Sequence, residues 1–264
     1  MTDRDVYSMS APPEVWWDAH FHQAADQVLE FLAGDGIRLE AKRVADIGCG
    51  DDGFIDLGLA VRGKPKVLVG FDLTPPDIDT LAREAAAHGI ATLPPDLRFA
   101  RSEELSIPAD DASFDIVVSW SAFEHISDPV AILREIRRVL TPDGVVFIQV
   151  WPFFATAHGP HLQDWFPDGF AHYLHAEEDM FRIVREHPNQ GQAARMLEEY
   201  RRLNRISADE LHAALRVAGF RTAKLALLSE TVHIPESAAD VPFSRIALSG
   251  VKLLAVPDPQ VGPA

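Results

Sequence analysis

Between residues 43 and 151, five short apolar runs alternate with segments of helical periodicity, and few folds accommodate that alternation. RVADIG, KVLVGFDL, LRFA, FDIVVSWS and GVVFIQVW have the length and β-branched content of buried strands. FIDLGLAVRG, PPDIDTLAREAAAHG and DPVAILREIRRVLTPDG space their apolar residues like helices and carry Gly or Pro at their ends. Parallel strands need long crossovers, so such a chain predicts an α/β, doubly wound, mostly parallel sheet with helices on both faces.

The flanks extend this plan. EVWWDAHFHQAADQVLEFLAGDG predicts one or two N-terminal helices, a lid over residues 13–40. Residues 152–205 break the rhythm with a run rich in His, Phe, Trp and Pro, then turn helical from Glu177. SADELHAALRVAGF restores it, with Ser207 and Glu210 spaced as a capping box. RTAKLALLSE and FSRIALSGVKLLAV read as two closing strands, residues 1–12 as a loose arm and PDPQVGPA as a disordered tail. The 264 residues suit a single domain, with 152–205 inserted after the fifth strand.

The first strand runs into VADIGCGDDG, where Gly48, Gly50 and Gly53 have the G-x-G-x-x-G spacing of a dinucleotide turn. Such a turn aims a helix N-terminus at a pyrophosphate. Asp46, Asp51 and Asp52 would set negative charge beside that pyrophosphate. S-adenosylmethionine (SAM) has no phosphate and carries a sulfonium and an ammonium, which an acidic strand end suits. Asp72, ending the second strand, is placed to accept two ribose hydroxyls from either cofactor.

VADIGCG, VGFDL, FDIVVSWSAFEHISDP and REIRRVLTPDGVVFI, in this order and spacing, resemble class I SAM-dependent methyltransferases. The likeness covers residues 40–151 and, more loosely, 205–256 through ADELHAALRVAGF. It implies a seven-stranded Rossmann-like sheet whose last strand is antiparallel, with SAM across the carboxyl ends of the strands. Residue by residue, it implies that Asp46, Gly48 and Gly50 line the methionine part, that Asp72 takes the ribose and that Leu73 packs on the adenine. Ser102 and Glu103 would sit near the exocyclic amine, and Ser119 and Trp120 under the methyl group. Two positions depart from the family: Asp52 stands where a third glycine is usual, and Arg101 where an aspartate commonly meets adenine. Cys49 is read as a small packed side chain.

A formal net charge of −16 disfavours nucleic acid or an anionic membrane as partner. The arginines of RIVREH and RMLEEYRRLNR are interleaved with glutamates and read as solvated helix faces. With one cysteine, no N-terminal signal pattern and no membrane-length apolar run, the chain reads as cytoplasmic. A small-molecule acceptor is the expected partner, and a homodimer stays open.

Methyl transfer to an alcohol needs its proton removed, by a base or through a metal, whereas an amine need only be neutral. Glu124 and His125 follow the fourth strand, at the mouth where the methyl should point. His158, His161, His172 and His175 fall within 18 residues of one another beside Trp165 and Tyr173. His125, His158, His161 and Glu124 are therefore the catalytic candidates, and Trp165, His172 and Tyr173 the acceptor-binding ones. The expected reaction is O-methylation of a hydroxyl on a sugar or natural product, with a divalent metal such as Mg²⁺ as an option. N- or C-methylation, a silent SAM-binding partner protein and an NAD-dependent oxidoreductase are the alternatives.

Overall fold

The computed structural model describes residues 12–260, so most of the arm read over 1–12 and the last four residues of the tail lie outside the described residues. Seven strands form one sheet in the order β3-β2-β1-β4-β5-β7-β6. They are β1 Arg43–Ile47, β2 Val67–Asp72, β3 Leu97–Arg101, β4 Phe114–Trp120, β5 Leu140–Val150, β6 Phe220–Leu228 and β7 Gly250–Pro257. The pairs from β3 to β5 are parallel, and β7 runs antiparallel to both of its neighbours. This is the mostly parallel, doubly wound sheet that the alternation dictates. The chain lays strands outward from β1 in one direction and from β4 in the other, so the crevice beyond Ile47 and Trp120 is the switch point where such sheets bind ligands.

Helices cover both faces. On one side lie α1 Pro13–Trp17, a π-helical stretch Asp18–Ala24, α2 Ala25–Ala33 and α3 Phe54–Gly63, around buried Val28, Leu32, Leu57 and Phe147. On the other lie α5 Pro129–Val139 and α9 Ala208–Val217, around Phe123, Leu133, Ile148 and Phe220. Ser207 and Glu210 make the reciprocal cap on α9, 2.8 and 3.3 Å. Asp128 caps α5 at Ala131 N, with Pro129 opening the helix.

Four local readings are corrected. Helix α4 spans Ile78–Ala87, and Asp77, rather than a proline, caps it by accepting from Thr80 N at 2.8 Å. Strand β5 starts at Leu140, directly after α5, because Leu140 is buried and pairs with Phe114; the TPDG that follows is absorbed as a register irregularity. FSRI forms a turn of helix, α10 Phe243–Ile246, because Pro242 pre-sets its start, and the last strand begins only at Gly250. The described start of the tail packs on the fold, with Asp258 buried and paired with Arg216 at 2.8 Å.

Residues 152–205 fold into turns followed by α6 Ala171–Leu174, α7 Glu177–Arg185 and α8 Gln190–Arg202, with Met180, Val184, Met196, Leu197 and Tyr200 as a small separate core. Their arginines pair along the surface, Arg182 with Asp179 and Glu186, and Arg202 with Glu198. Among the described residues no helix is long and apolar enough to cross a membrane.

Candidate active site

The turn after β1 is built by three left-handed glycines, Gly48 at φ 79°, Gly50 at 72° and Gly53 at 69°. Gly48 N and Cys49 N both donate to Phe71 O, which holds the turn against β2. A Cβ on Gly48 would overlap the Ala122 methyl. Gly48→Ala therefore combines left-handed strain of about 1–2 kcal/mol with overpacking of about 1–3 kcal/mol. We expect a clear loss of stability in denaturant titration, larger than for Gly50→Ala, which carries the left-handed strain without the steric overlap. Cys49 packs in the turn, and burial pushes its thiol up, so it is inert as a nucleophile.

Asp52, at the position of a family glycine, serves the turn directly. One oxygen accepts from Phe54 N at the start of α3, and the other from Trp16 Nε1 at 2.8 Å. Trp17 turns the other way and stacks on Phe21 and His88. Adjacent tryptophans thus divide between a latch on the turn and the core.

Asp72 accepts from Gly50 N at 3.1 Å and Thr74 N at 2.9 Å, which aims its carboxylate across the mouth of the turn. Leu73 beside it is 45% exposed, a large apolar surface with no protein neighbour covering it. Ser102 N bonds Asp72 O, and Glu103 pairs with Ser106, so the loop after β3 borders the same mouth. Arg101 ends β3 exposed to solvent.

At the end of β4 the two sequence candidates are taken up by the fold. The Ser119 hydroxyl donates to Ile47 O at 2.7 Å and ties β4 to β1. Trp120 is buried, stacked on Phe147, with the Lys252 ammonium 5.5 Å from its ring. They form the floor of the crevice rather than exposed contacts. Ser121, half-buried at φ 47°, stands at the rim instead and accepts from the buried Gln149 amide on β5 at 3.2 Å; sequence reasoning passed over both.

Beyond the rim the turn Phe123–His125 meets the insertion. Glu124, His125 and His161 each bring one ligand atom within 4.8 Å of the others. His161 Nδ1 is 2.9 Å from Glu199 on α8, leaving Nε2 without a partner among the described residues. Asn204 fixes the arrangement, its amide donating to Phe123 O and Ile126 O and its backbone N to Glu124 O. Burial pushes Glu124 up to about 8, and both its oxygens lack partners among the described residues. Burial and then the nearby His161 push His125 down to about 4. Burial alone would raise Glu199, but its hydrogen bond to His161 holds it below its ordinary value. Glu199 and Asn204 lie in a stretch read as a solvated face. The only signal was that Glu199 neighbours Tyr200 and sits one turn after Met196, both on the buried side.

The remaining sequence candidates do not join this cluster. His158 is buried with Nε2 3.9 Å from Glu230, which also accepts from Trp151. Trp165 packs in the insertion's own core, edge-on to His187. His172 lies between Phe154 and Tyr173, and burial with Arg205 pushes it down to about 4. Tyr173 lines an open cleft of about 440 Å³ with Phe154, Arg205, Asp240 and Arg245.

Beneath the glycine turn lie Asp46, 1% exposed, and Asp56, wholly buried. Burial first, then Asp72, pushes Asp46 up to about 7; burial, then Asp46, raises Asp56. Raised carboxyls bind protons more tightly in the folded than in the unfolded chain, so their contribution is lost as pH rises through the folded values. His125 and His172 act oppositely, but only below about 6.5, where the unfolded histidines charge. Between pH 6.5 and 8 the raised acids act alone. The ligand-free protein should then lose about 1.4 kcal/mol per pH unit for each such proton, read as a falling Tm in thermal melts.

A family model described as a methyltransferase domain matches residues 16–225. Among curated proteins, a ubiquinone biosynthesis O-methyltransferase of Neisseria meningitidis serogroup C is 29% identical over 185 residues, 68% of this chain and 70% of the relative. A Haloferax volcanii structure, described as a complex between the Trm112 methyltransferase activator and a methyltransferase, matches with a TM-score of 0.55 at 21% identity. It covers 97% of this chain and 98% of that one. The [4+2]-cyclase SpnF matches with a TM-score of 0.56 at 20% identity over 89% and 82%. The chain belongs to the class I SAM-dependent methyltransferases. At these identities the solved structures establish the fold, and a cyclase among them shows that the fold alone does not fix the reaction.

Proposed function

We propose that this methyltransferase transfers the SAM methyl group to a hydroxyl of a small, ring-bearing polar acceptor, such as a sugar or natural product. The observation that carries the reading is the convergence of Glu124, His125 and His161 beyond β4, at the mouth of the crevice. The acceptor is bound between the rim of the sheet and the aromatic insertion, where Phe154, His172 and Tyr173 offer flat faces. SAM lies across the glycine turn, with the Asp72 carboxylate on its ribose and Leu73 against its adenine. Trp16, fastened to Asp52, makes the N-terminal helices the wall on that side.

His161 takes the acceptor's proton. A base is best with a free nitrogen and a partner orienting the other, and Glu199 provides that partner. His125, neutral but held near 4, is too weak a base for an alcohol at neutral pH and serves as an acceptor contact. The name O-methyltransferase borne by the Neisseria relative supports a hydroxyl acceptor.

A second reading rests on the unpartnered Glu124 carboxylate. One carboxylate and two imidazoles within 4.8 Å match the donors of a three-ligand catalytic metal site, with Glu199 orienting His161 from behind. This donor set suits Zn²⁺ or another late divalent ion better than Mg²⁺, which prefers oxygen ligands. Such an ion would supply Lewis acidity toward the acceptor oxygen.

Assaying product with a library of hydroxylated acceptors, with and without EDTA, tests both readings. Full activity in EDTA is expected for the His161 base. Loss in EDTA that Zn²⁺ or Mn²⁺ restores selects the metal. Methylation of amines alone would sink the hydroxyl assignment.

A further inference from the structure

The crevice floor holds an acid that neither the fold nor the transfer step accounts for. Asp56 occupies the first turn of α3, wholly buried, directly behind the glycine turn. Neither of its oxygens has a donor among the described residues, nor has Asp46 Oδ1. Yet the Asp46 and Asp56 side chains lie in hydrogen-bonding contact. Two ionised carboxylates are acceptors only, so that contact is a bond only when one of them carries a proton.

Among the described residues, no cationic side chain is recorded acting on Asp56 in place of that proton. The other charged groups acting on Asp56 are Asp52 and Asp72, both acids. Cys49, beside them, is held as the neutral thiol by burial and by these same carboxylates. From the N-terminal helices packed on α3, His20 turns Nδ1 to Trp16 O, His22 packs edge-on to Phe21, Asp18 accepts from Gln23 and Asp26 is taken by Arg62. On β3, Arg101 faces solvent. Like charges in one dry pocket do not both ionise.

We propose that Asp56 is a positioning residue for cofactor recognition: in the ligand-free protein it shares a single proton with Asp46, which holds the Asp46 carboxyl in place behind the glycine turn until the cationic amino-acid end of SAM displaces that proton. The inference rests on SAM lying over the glycine turn. It has a consequence for selectivity. An arriving cation favours the charged form of a nearby acid, so binding expels the shared proton. SAM, with its sulfonium, expels more of it than S-adenosylhomocysteine, which keeps only the ammonium. The pair thereby favours substrate over product as pH falls toward the shared proton's range less than it does at alkaline pH.

Calorimetric titration with SAM and with S-adenosylhomocysteine at pH 6.5, in buffers of high and low ionisation enthalpy, counts the protons released. Wild type should release a substantial fraction of one proton with SAM and less with S-adenosylhomocysteine. Asp56→Asn keeps a hydrogen-bond donor for Asp46 but no longer titrates. It should cut the release at least threefold while SAM affinity at pH 8 stays within about tenfold of wild type. Equal release from both proteins would overturn the proposal, as would binding to wild type without release. Should Asp56→Asn fail to fold, carboxyl ¹³C NMR of ligand-free wild type decides. One aspartate pair still protonated above pH 5.5 is expected, and full ionisation of all aspartates by pH 5 refutes the pair. Wild type that binds neither ligand, yet shows the protonated pair by NMR, would overturn the cofactor's placement and leave the shared proton standing.

Discussion

Replacing His161 with alanine should lower turnover by roughly 10²–10⁴-fold, the usual contribution of a positioned base, while the SAM dissociation constant stays near wild type. The two effects separate because the imidazole meets Glu199 and His125, whereas the cofactor turn is held by Phe71, Asp72 and Trp16. Glu199→Gln should reproduce part of the loss, since an amide still bonds Nδ1 but no longer stabilises the imidazolium. His158→Ala should leave the rate nearly unchanged, because that ring faces Glu230. Steady-state kinetics with a methylated product as readout checks all three. Normal turnover in His161→Ala would remove the proton acceptor and turn the reading toward an amine or carbon centre.

Asp72→Ala should weaken SAM binding by on the order of 2–3 kcal/mol, the scale of hydrogen bonds to a charged group, or about 30–150-fold. Part of that loss would be indirect. The same carboxylate bonds Gly50 N and Thr74 N, so its removal also loosens the turn. Asp72→Asn separates the two, since one amide oxygen still accepts from the backbone while the second ribose contact is lost. Calorimetry on folded variants should rank wild type above Asn and Asn above Ala. An unchanged affinity in the alanine variant would refute the placement of the ribose.

Strand alternation and glycine spacing announced the sheet and its switch point because both are local and periodic. A local signal also placed the cap at Ser207, whereas the cap at Asp128 emerged only from the structure. The errors came where burial overrode punctuation. Leu140 joins β5 despite the Pro and Gly that follow, and Pro242 begins a helical turn inside an apolar run. Around the site, the residues adjacent to the motifs were legible, and their partners were not. Glu124 and His125 follow a recognisable strand, yet Glu199 and Asn204 reach them from some 75–80 residues away, one on a helix dense with charge and the other just beyond its end. Asp56 was hidden for a similar reason, since an acid in the first turn of a helix is ordinary on a surface and becomes informative only once its burial is known. Ser119 and Trp120 end a recognisable strand, but a sequence does not say which backbone carbonyl a serine will find.

The Asn204 side chain grips the Phe123 and Ile126 carbonyls that flank Glu124 and His125, and so joins the segment that differs most from the sheet's rhythm to the residues that differ least from the motif. A chimera exchanging residues 152–205 for those of a relative would therefore transplant more than a binding pocket: without an amide at this junction, the donor segment would misalign the chemistry it was meant to serve. Acceptor preference and catalytic competence are inherited here as one unit, divisible only by rebuilding the seam.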